Sequence, residues 1–247
     1  MIAQIDGETA RRLLQGRSDP FSLKITGNLL SYEGYDFCSV YGGEGVLIGK
    51  YYDDLVIRTD KELSEEAFEE LTLFLNALSF SRGICGEQTG RRLAKSGFKS
   101  DPPDILYGFS ADRVPKEETV PTISELREDP PYNEVFDILK DGFEGIDHDS
   151  WYTDINHRVR HGTAKVYIYG GATATVNSEN ETAAFVTLLA TKNEYRGKGD
   201  AKKLLRSLGL YYSRINKEMF ILCRQALKPF YEKTGFREAG RTVTIYK

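Results

Sequence analysis

The sequence is poor in the residues that build metal centres, disulfide frameworks and membrane spans. Its 247 residues include three cysteines, three histidines, two methionines and one tryptophan. Cys38, Cys85 and Cys223 are far apart, odd in number and without a CxxC pair, which excludes a disulfide framework and a cysteine zinc site and points to the reducing cytoplasm. His157 and His161 stand four apart, a spacing that can hold a metal on a helix, but no third ligand accompanies them, so no metal is expected. No stretch approaches the roughly 18 apolar residues of a membrane helix. The amino terminus has neither a basic nor an apolar leader region, so export is not expected either. Excess positive charge is missing too: 33 Lys and Arg against 37 Asp and Glu leave a net charge of -4, which argues against a general grip on nucleic acid.

What is present is an ordinary globular composition, 40% hydrophobic and 28% charged, in a chain long enough for two small cores. The clearest break is 110–122, where Pro115 and Pro121 bracket the charged run Lys116, Glu117 and Glu118, which is too poor in apolar residues to support a core. The expected domains are therefore 1–118 and 119–247. In the first, a helix is expected over 7–14 and strands over 37–41, 46–51 and 55–58, the first two joined by a glycine turn at 42–45. Ser64 then caps a helix with Ala67, Phe68, Leu71, Phe74, Leu75 and Leu78 on one face. A short strand to Cys85, a helix over 88–96 and a strand over 105–109 complete this half.

The second half repeats that order. Helices are expected over 132–139 and 148–159, strands over 163–169, 172–176 and 183–191, and a helix over 199–214. A strand over 220–223, a helix over 227–234 and a strand over 242–246 follow. Ile84-Cys85 precedes Gly97-Phe98 by the same interval as Leu222-Cys223 precedes Gly235-Phe236, with Ala94-Lys95-Ser96 answering Glu232-Lys233-Thr234. One register of strand, helix and Gly-Phe thus occurs twice, as in a duplicated domain.

The segment with chemical content follows the apolar strand at 183–191. Arg196, Gly197, Lys198, Gly199, Asp200 and Ala201 lead straight into a helix. A strand, a glycine-bearing turn and a helix start present backbone NH groups to an anion, and the helix dipole adds to their pull. Gly197 and Gly199 let a phosphate approach the main chain, while Arg196 and Lys198 supply charge. A Walker A loop needs Ser or Thr after Gly-Lys, and a dinucleotide fingerprint needs a third glycine where Lys202 stands. The pattern left is Arg-x-x-Gly-x-Ala.

With these residues the chain resembles the GNAT superfamily of acetyl-CoA-dependent N-acetyltransferases, whose pyrophosphate motif has that form. Phe230-Tyr231-Glu232-Lys233-Thr234-Gly235-Phe236 is similar to a second signature of the family. Asn193 stands where the family usually has proline, and Arg224 and Leu227 replace its frequent asparagine and alanine. The resemblance implies an α/β (α+β) fold of two tandem GNAT-like domains, each a mixed, mostly antiparallel sheet flanked by helices. It also implies transfer of an acetyl group from acetyl-CoA to a primary amine of a small molecule or peptide, by direct attack in a ternary complex. The rival from another class is a non-catalytic CoA- or ligand-binding module. By the same resemblance Leu189 and Thr191 pair their main chains with pantetheine, a backbone NH near Leu189 serves the oxyanion, and Tyr231 is the general acid. Hydrogen bonding to the departing sulfur is most of what a phenol of pKa about 10 can offer a thiolate whose conjugate acid is near 8.5.

An alkyl ammonium of pKa about 10.4 must also lose a proton, at about 4.6 kcal/mol at pH 7. No base declares itself, although Glu181 and Thr187 are placed to order water. The acidic stretch 125–154, including Glu128, Asp129, Glu134, Asp137, Asp141, Glu144, Asp147 and Asp149, reads as a solvated face or as a border for a cationic acceptor. The connection 59–63 has no glycine, and Leu93 takes the place of Tyr231, so the first domain is expected to have lost cofactor and acid together.

Overall fold

A computed structural model describes residues 1–60 and 63–247. The chain forms two compact units, one of Met1–Leu106, Cys223–Gln225 and Glu238–Lys247, the other of Tyr107–Leu222 and Ala226–Arg237. The sequence reading assigns the last strand to the second half, whereas Glu238–Lys247 is grouped with the first unit.

In the first half of the chain the order is β1 (Ala3–Ile5), α1 (Gly7–Leu14), α2 (Pro20–Tyr32), β2 (Cys38–Gly43), β3 (Val46–Tyr51), β4 (Asp54–Thr59), α3 (Glu65–Ala77), β5 (Arg82–Gly86), α4 (Glu87–Lys95), β6 (Lys99–Ser100) and β7 (Asp104–Phe109), the last of which begins in the first unit and ends in the second. β1 to β4 form an antiparallel meander, and β4 then pairs in parallel with β5 over Asp54 to Val56. Gly42 and Gly43 lie within β2, so the expected four-residue turn shrinks to Glu44-Gly45. As expected, the Ser64 side chain caps α3 by accepting from the Ala67 NH at 3.2 Å. That helix buries Leu71 and Leu75 against Ile48 and Ile57. The helix α2 was not expected. Asp19 caps it through the Ser22 NH at 2.9 Å, and Pro20 occupies its first turn, where a missing NH costs nothing.

The second half of the chain continues with β8 (Arg127–Glu128), α5 (Tyr132–Gly142), α6 (His148–Arg160), β9 (Lys165–Tyr169), β10 (Ala172–Glu179), β11 (Ala183–Thr191), α7 (Asp200–Arg214), β12 (Glu218–Cys223), α8 (Lys228–Thr234) and β13 (Phe236–Tyr246), the last of which runs from the second unit into the first. β8 to β11 are antiparallel neighbours in order, and β12 lies parallel to β11. Alternation along β9 sends Val166 and Ile168 into a core with Val135, Leu139 and Ile155. Tyr167 faces the other way, towards Tyr212 of α7.

The Gly-Phe register expected from the sequence has one backbone cause in both copies. Gly97 (φ 104°) and Gly235 (φ 110°) end their helices in the left-handed region, and Phe98 and Phe236 after them are buried. The break at 110–122 is more structured than expected: a short 3-10 turn spans Ala111–Arg113, a second follows it at Ile123–Glu125, and Glu118 is ion-paired with Lys202 at 2.9 Å and with Arg206. Among the described residues, no helix is long and apolar enough to cross a membrane.

Candidate active site

The site begins in a strand that parts from its neighbour. β11 pairs with β12 only over Ala183 to Val186, and beyond that point it keeps β10 alone. Burial changes at the same place: Val186 is fully buried, while Thr187, Leu188 and Leu189 are half-exposed. The register with β10 steps from Thr175↔Thr187 to Thr173↔Ala190, so Leu188 and Leu189 together oppose Ala174. This is a β-bulge, and Leu188 at φ 50° carries its strain. A bulge re-aims main-chain groups, and here it does so beside the gap left by β12.

From Thr191 the chain enters a 3-10 turn, Asn193–Tyr195, and reaches Gly197 (φ 79°) and Gly199 (φ 86°), the latter capping α7. A Cβ on either glycine would meet nothing within 4 Å, so the main chain here faces open space. No side chain caps the first turn of α7, which leaves its amide groups to another acceptor. Open main chain and uncapped amides are the features an anion site needs, and in this respect the residues fit a diphosphate.

The charged residues of the turn divide their work. Arg196 donates from Nη2 to the Asp141 carbonyl at 2.6 Å and from Nε to the Thr191 carbonyl at 3.4 Å, so it braces the turn against the carbonyl-rich end of α5. Asp141 returns the contact by accepting from the Asn193 NH at 2.8 Å. The Asp200 carboxylate accepts from the Gly171 NH at 2.9 Å, and Lys198 lies over the Tyr195 ring at 4.4 Å. Ala201 follows Asp200 in the first turn of α7.

Gly171 fixes the turn in a way the sequence did not announce. A Cβ there would stand 2.2 Å from the Tyr195 ring, and its carbonyl accepts from the Lys192 NH at 2.9 Å. Gly171→Ala is expected to force Tyr195 aside, costing about 1–3 kcal/mol by overpacking. CoA affinity is expected to fall about 10-fold with it, as each 1.4 kcal/mol of lost binding would give. Thermal unfolding and a CoA titration check this, and an unchanged affinity would show that Gly171 does not shape the turn.

β11 and β12 run in parallel, so the turn before α7 and the connection from β12 to α8 lie at one edge of the sheet. Tyr231, one turn into α8, is 4% exposed. Its ring stacks on that of Tyr107 at 5.7 Å and meets Phe236 edge-on at 5.7 Å. Glu181, by contrast, precedes the other end of β11. At about 3.3 Å per residue it lies some 25 Å from the bulge, too far to order water there; Thr187, next to the bulge, keeps that possibility. Burial pushes the Cys85 and Cys223 thiols up to about 12, so neither supplies a thiolate nucleophile at neutral pH.

Several carboxylates of 125–154 are engaged by neighbouring groups. Glu134 pairs with Arg127, Asp137 with Lys140 at 2.6 Å, Asp147 caps α6 through the Ser150 NH, and Asp129 accepts from the Val166 NH. The solvated-face reading fits them better than an acceptor border. The rings of His157 and His161 stack at 4.1 Å, and His161 Nδ1 meets the His157 carbonyl at 2.8 Å.

In the first unit the matching strand-to-helix step, β4 to α3, borders a cavity of about 520 Å³ lined by Arg17, Glu44, Arg58, Asp60 and Ser64. Arg58 is neutralised by Asp19 at 3.1 Å and Asp60 at 2.6 Å, and Arg17 by Asp60 at 3.0 Å. Leu93, at the place of Tyr231, is fully buried. Lys61 and Glu62 of the connection lie outside the described residues.

Residues 151–238 match a family model described as an acetyltransferase (GNAT) domain. No curated protein matches the sequence significantly. Among solved structures, the chain is similar to an acetyltransferase from the GNAT family of Colwellia psychrerythraea, with a TM-score of 0.62, 13% identity and 100% of both chains covered. It is likewise similar to a GCN5-related N-acetyltransferase of Sphaerobacter thermophilus, with a TM-score of 0.61, 12% identity and 100% and 95% covered. A tandem GNAT protein from the clavulanic acid biosynthesis pathway matches with a TM-score of 0.62, 10% identity and 100% and 98% covered. The fold is therefore that of tandem GNAT proteins.

Proposed function

We propose, from the premise that residues 151–238 form a GNAT acetyltransferase domain within a tandem GNAT fold, that the second unit transfers an acetyl group from acetyl-CoA to a primary amine. The observation that carries this reading is the open turn of Gly197 and Gly199, placed immediately after a bulged strand that has left its parallel neighbour. The main-chain NH groups of Gly197 and of residues 199–201 would hold the pyrophosphate, with the Lys198 side chain adding charge at the rim. The exposed main chain of Leu189 and Thr191 would receive pantetheine along the gap beside β12. Acetyl-CoA supplies an activated acyl thioester, and the amine attacks it directly within a ternary complex.

The chain's own residues then have three tasks. The bulge at Leu188 and Leu189 turns a main-chain NH towards the place where negative charge develops on the acyl oxygen. Arg196 keeps the turn seated on α5, so that the cradle is formed before the ligand arrives. The Tyr231 phenol hydrogen-bonds the departing sulfur. Its burial and stacking on Tyr107 also favour a second reading, a CoA-binding module in which Tyr231 is only a core aromatic.

Thiol release from acetyl-CoA, followed over polyamines, aminoglycosides, amino acids and peptide N-termini, separates the two. At least one amine class is expected to raise the rate about 100-fold or more over the no-amine rate, the lower end of acid–base and positioning effects. A protein that binds CoA yet stays silent across the panel would be the binding module.

A further inference from the structure

Arg206 is buried to 2% exposure in the middle of α7, yet it makes no contact that the acetyl-transfer reading has used. Its Nε donates to the Thr234 carbonyl at 3.0 Å and its Nη2 to the Lys233 carbonyl at 2.7 Å. Those are the last carbonyls of α8, groups that have no partner within a helix, and that of the buried Thr234 would otherwise be stranded. The remaining nitrogen, Nη1, is ion-paired with Glu118. Glu118 also accepts from Lys202, one turn earlier on α7. These two cations, Lys202 foremost, hold the Glu118 carboxyl below the usual carboxylate range.

One guanidinium therefore joins three pieces of backbone: the cofactor helix that starts at Gly199, the end of the helix that bears Tyr231, and the segment carrying Glu118. Its planar fork fixes direction as well as distance, which a single ammonium could not do. Tyr231 sits three residues before Thr234, within the turn that Arg206 pins. A shift of α8 would move the phenol and leave the glycine turn where it is.

We infer that Arg206 is a positioning residue for Tyr231: through the Lys233 and Thr234 carbonyls it sets α8 against α7, with Glu118 as the counter-ion that holds the guanidinium in place. This rests on the acetyl-transfer reading.

The test is a double-mutant cycle on the full chain with thiol release and CoA titration as readouts. Arg206→Met is expected to lower kcat about 30-fold, within the range that a 1 Å misplacement produces, and to leave the CoA Kd within about twofold. In a Tyr231→Phe background the same substitution is expected to lower kcat no more than about twofold further, because the group it positions is already gone. Glu118→Gln is expected to reproduce the kcat loss in part, again only when Tyr231 is present. If Arg206→Met does not fold, as judged by circular dichroism, Glu118→Gln and Arg206→Lys carry the same cycle. Equal losses with and without Tyr231, or parallel losses of kcat and CoA affinity, would assign Arg206 to general stability and overturn the inference. A wild-type protein that binds CoA but releases no thiol would instead retire the enzymatic reading, and this inference with it.

Discussion

Gly199→Val is expected to weaken CoA binding about 100-fold, equivalent to about 2.7 kcal/mol. Two costs meet at this residue. With φ at 86°, any residue with a Cβ is strained there, and a β-branched one most of all, by about 1–3 kcal/mol. The folded state survives that, because the new side chain collides with nothing within 4 Å. The larger effect is on the ligand, since the valine methyl groups would stand in the open space that a phosphate needs. Gly162 provides the control. It too has a positive φ, 68°, with nothing within 4 Å, but it lies between α6 and β9, at the sheet edge opposite the turn. Gly162→Val is therefore expected to lower the melting temperature by a similar amount and leave the CoA Kd unchanged. If both substitutions weaken CoA alike, the loss is global and the turn has no special part in it.

Tyr231→Phe is expected to lower kcat by about 100-fold, the lower end of what general acid–base groups contribute, with the CoA Kd altered less than twofold. The substitution preserves the stack on Tyr107 and the edge contact with Phe236, since neither uses the hydroxyl. Packing is thus held constant while the proposed hydrogen bond to sulfur is removed. Acetyl donors with better leaving thiols should narrow the difference between the two proteins, because they need less help to depart. If Tyr231→Phe changes only the melting temperature, the ring is a core residue and the binding-module reading gains.

The parts of this site that come from contiguous residues were legible in the sequence. β11 has the bounds its apolar, β-branched run gives, and α7 starts where Gly199 and Asp200 place its beginning. The twin Gly-Phe endings were readable because a left-handed glycine is a local requirement. α2 was not, although Asp19-Pro20 is a valid start signal. Its buried residues fall on more than one side, Leu23, Ile25, Gly27 and Leu29 among them, so no single apolar stripe marks it.

Contacts between distant residues escaped altogether. Nothing local in 242–246 says that Val243 pairs with Cys85. The Asp141 carbonyl under Arg196 and the Gly171 backbone under Tyr195 reach the turn from other elements, and a sequence does not print such distances. The acidic stretch left two readings open for a related reason: carboxylates look alike in a sequence whether they border a groove, cap a helix or pair with Arg127 and Lys140.

The central claim is that the turn from Arg196 to Ala201 holds a diphosphate, and calorimetric titration of the wild-type protein with CoA tests it most directly. The account predicts one saturable site with a Kd below about 1 mM, that is, better than about -4.1 kcal/mol, and much weaker uptake of dephosphorylated pantetheine. No heat with CoA at millimolar concentration, or equal uptake of pantetheine and CoA, would contradict it.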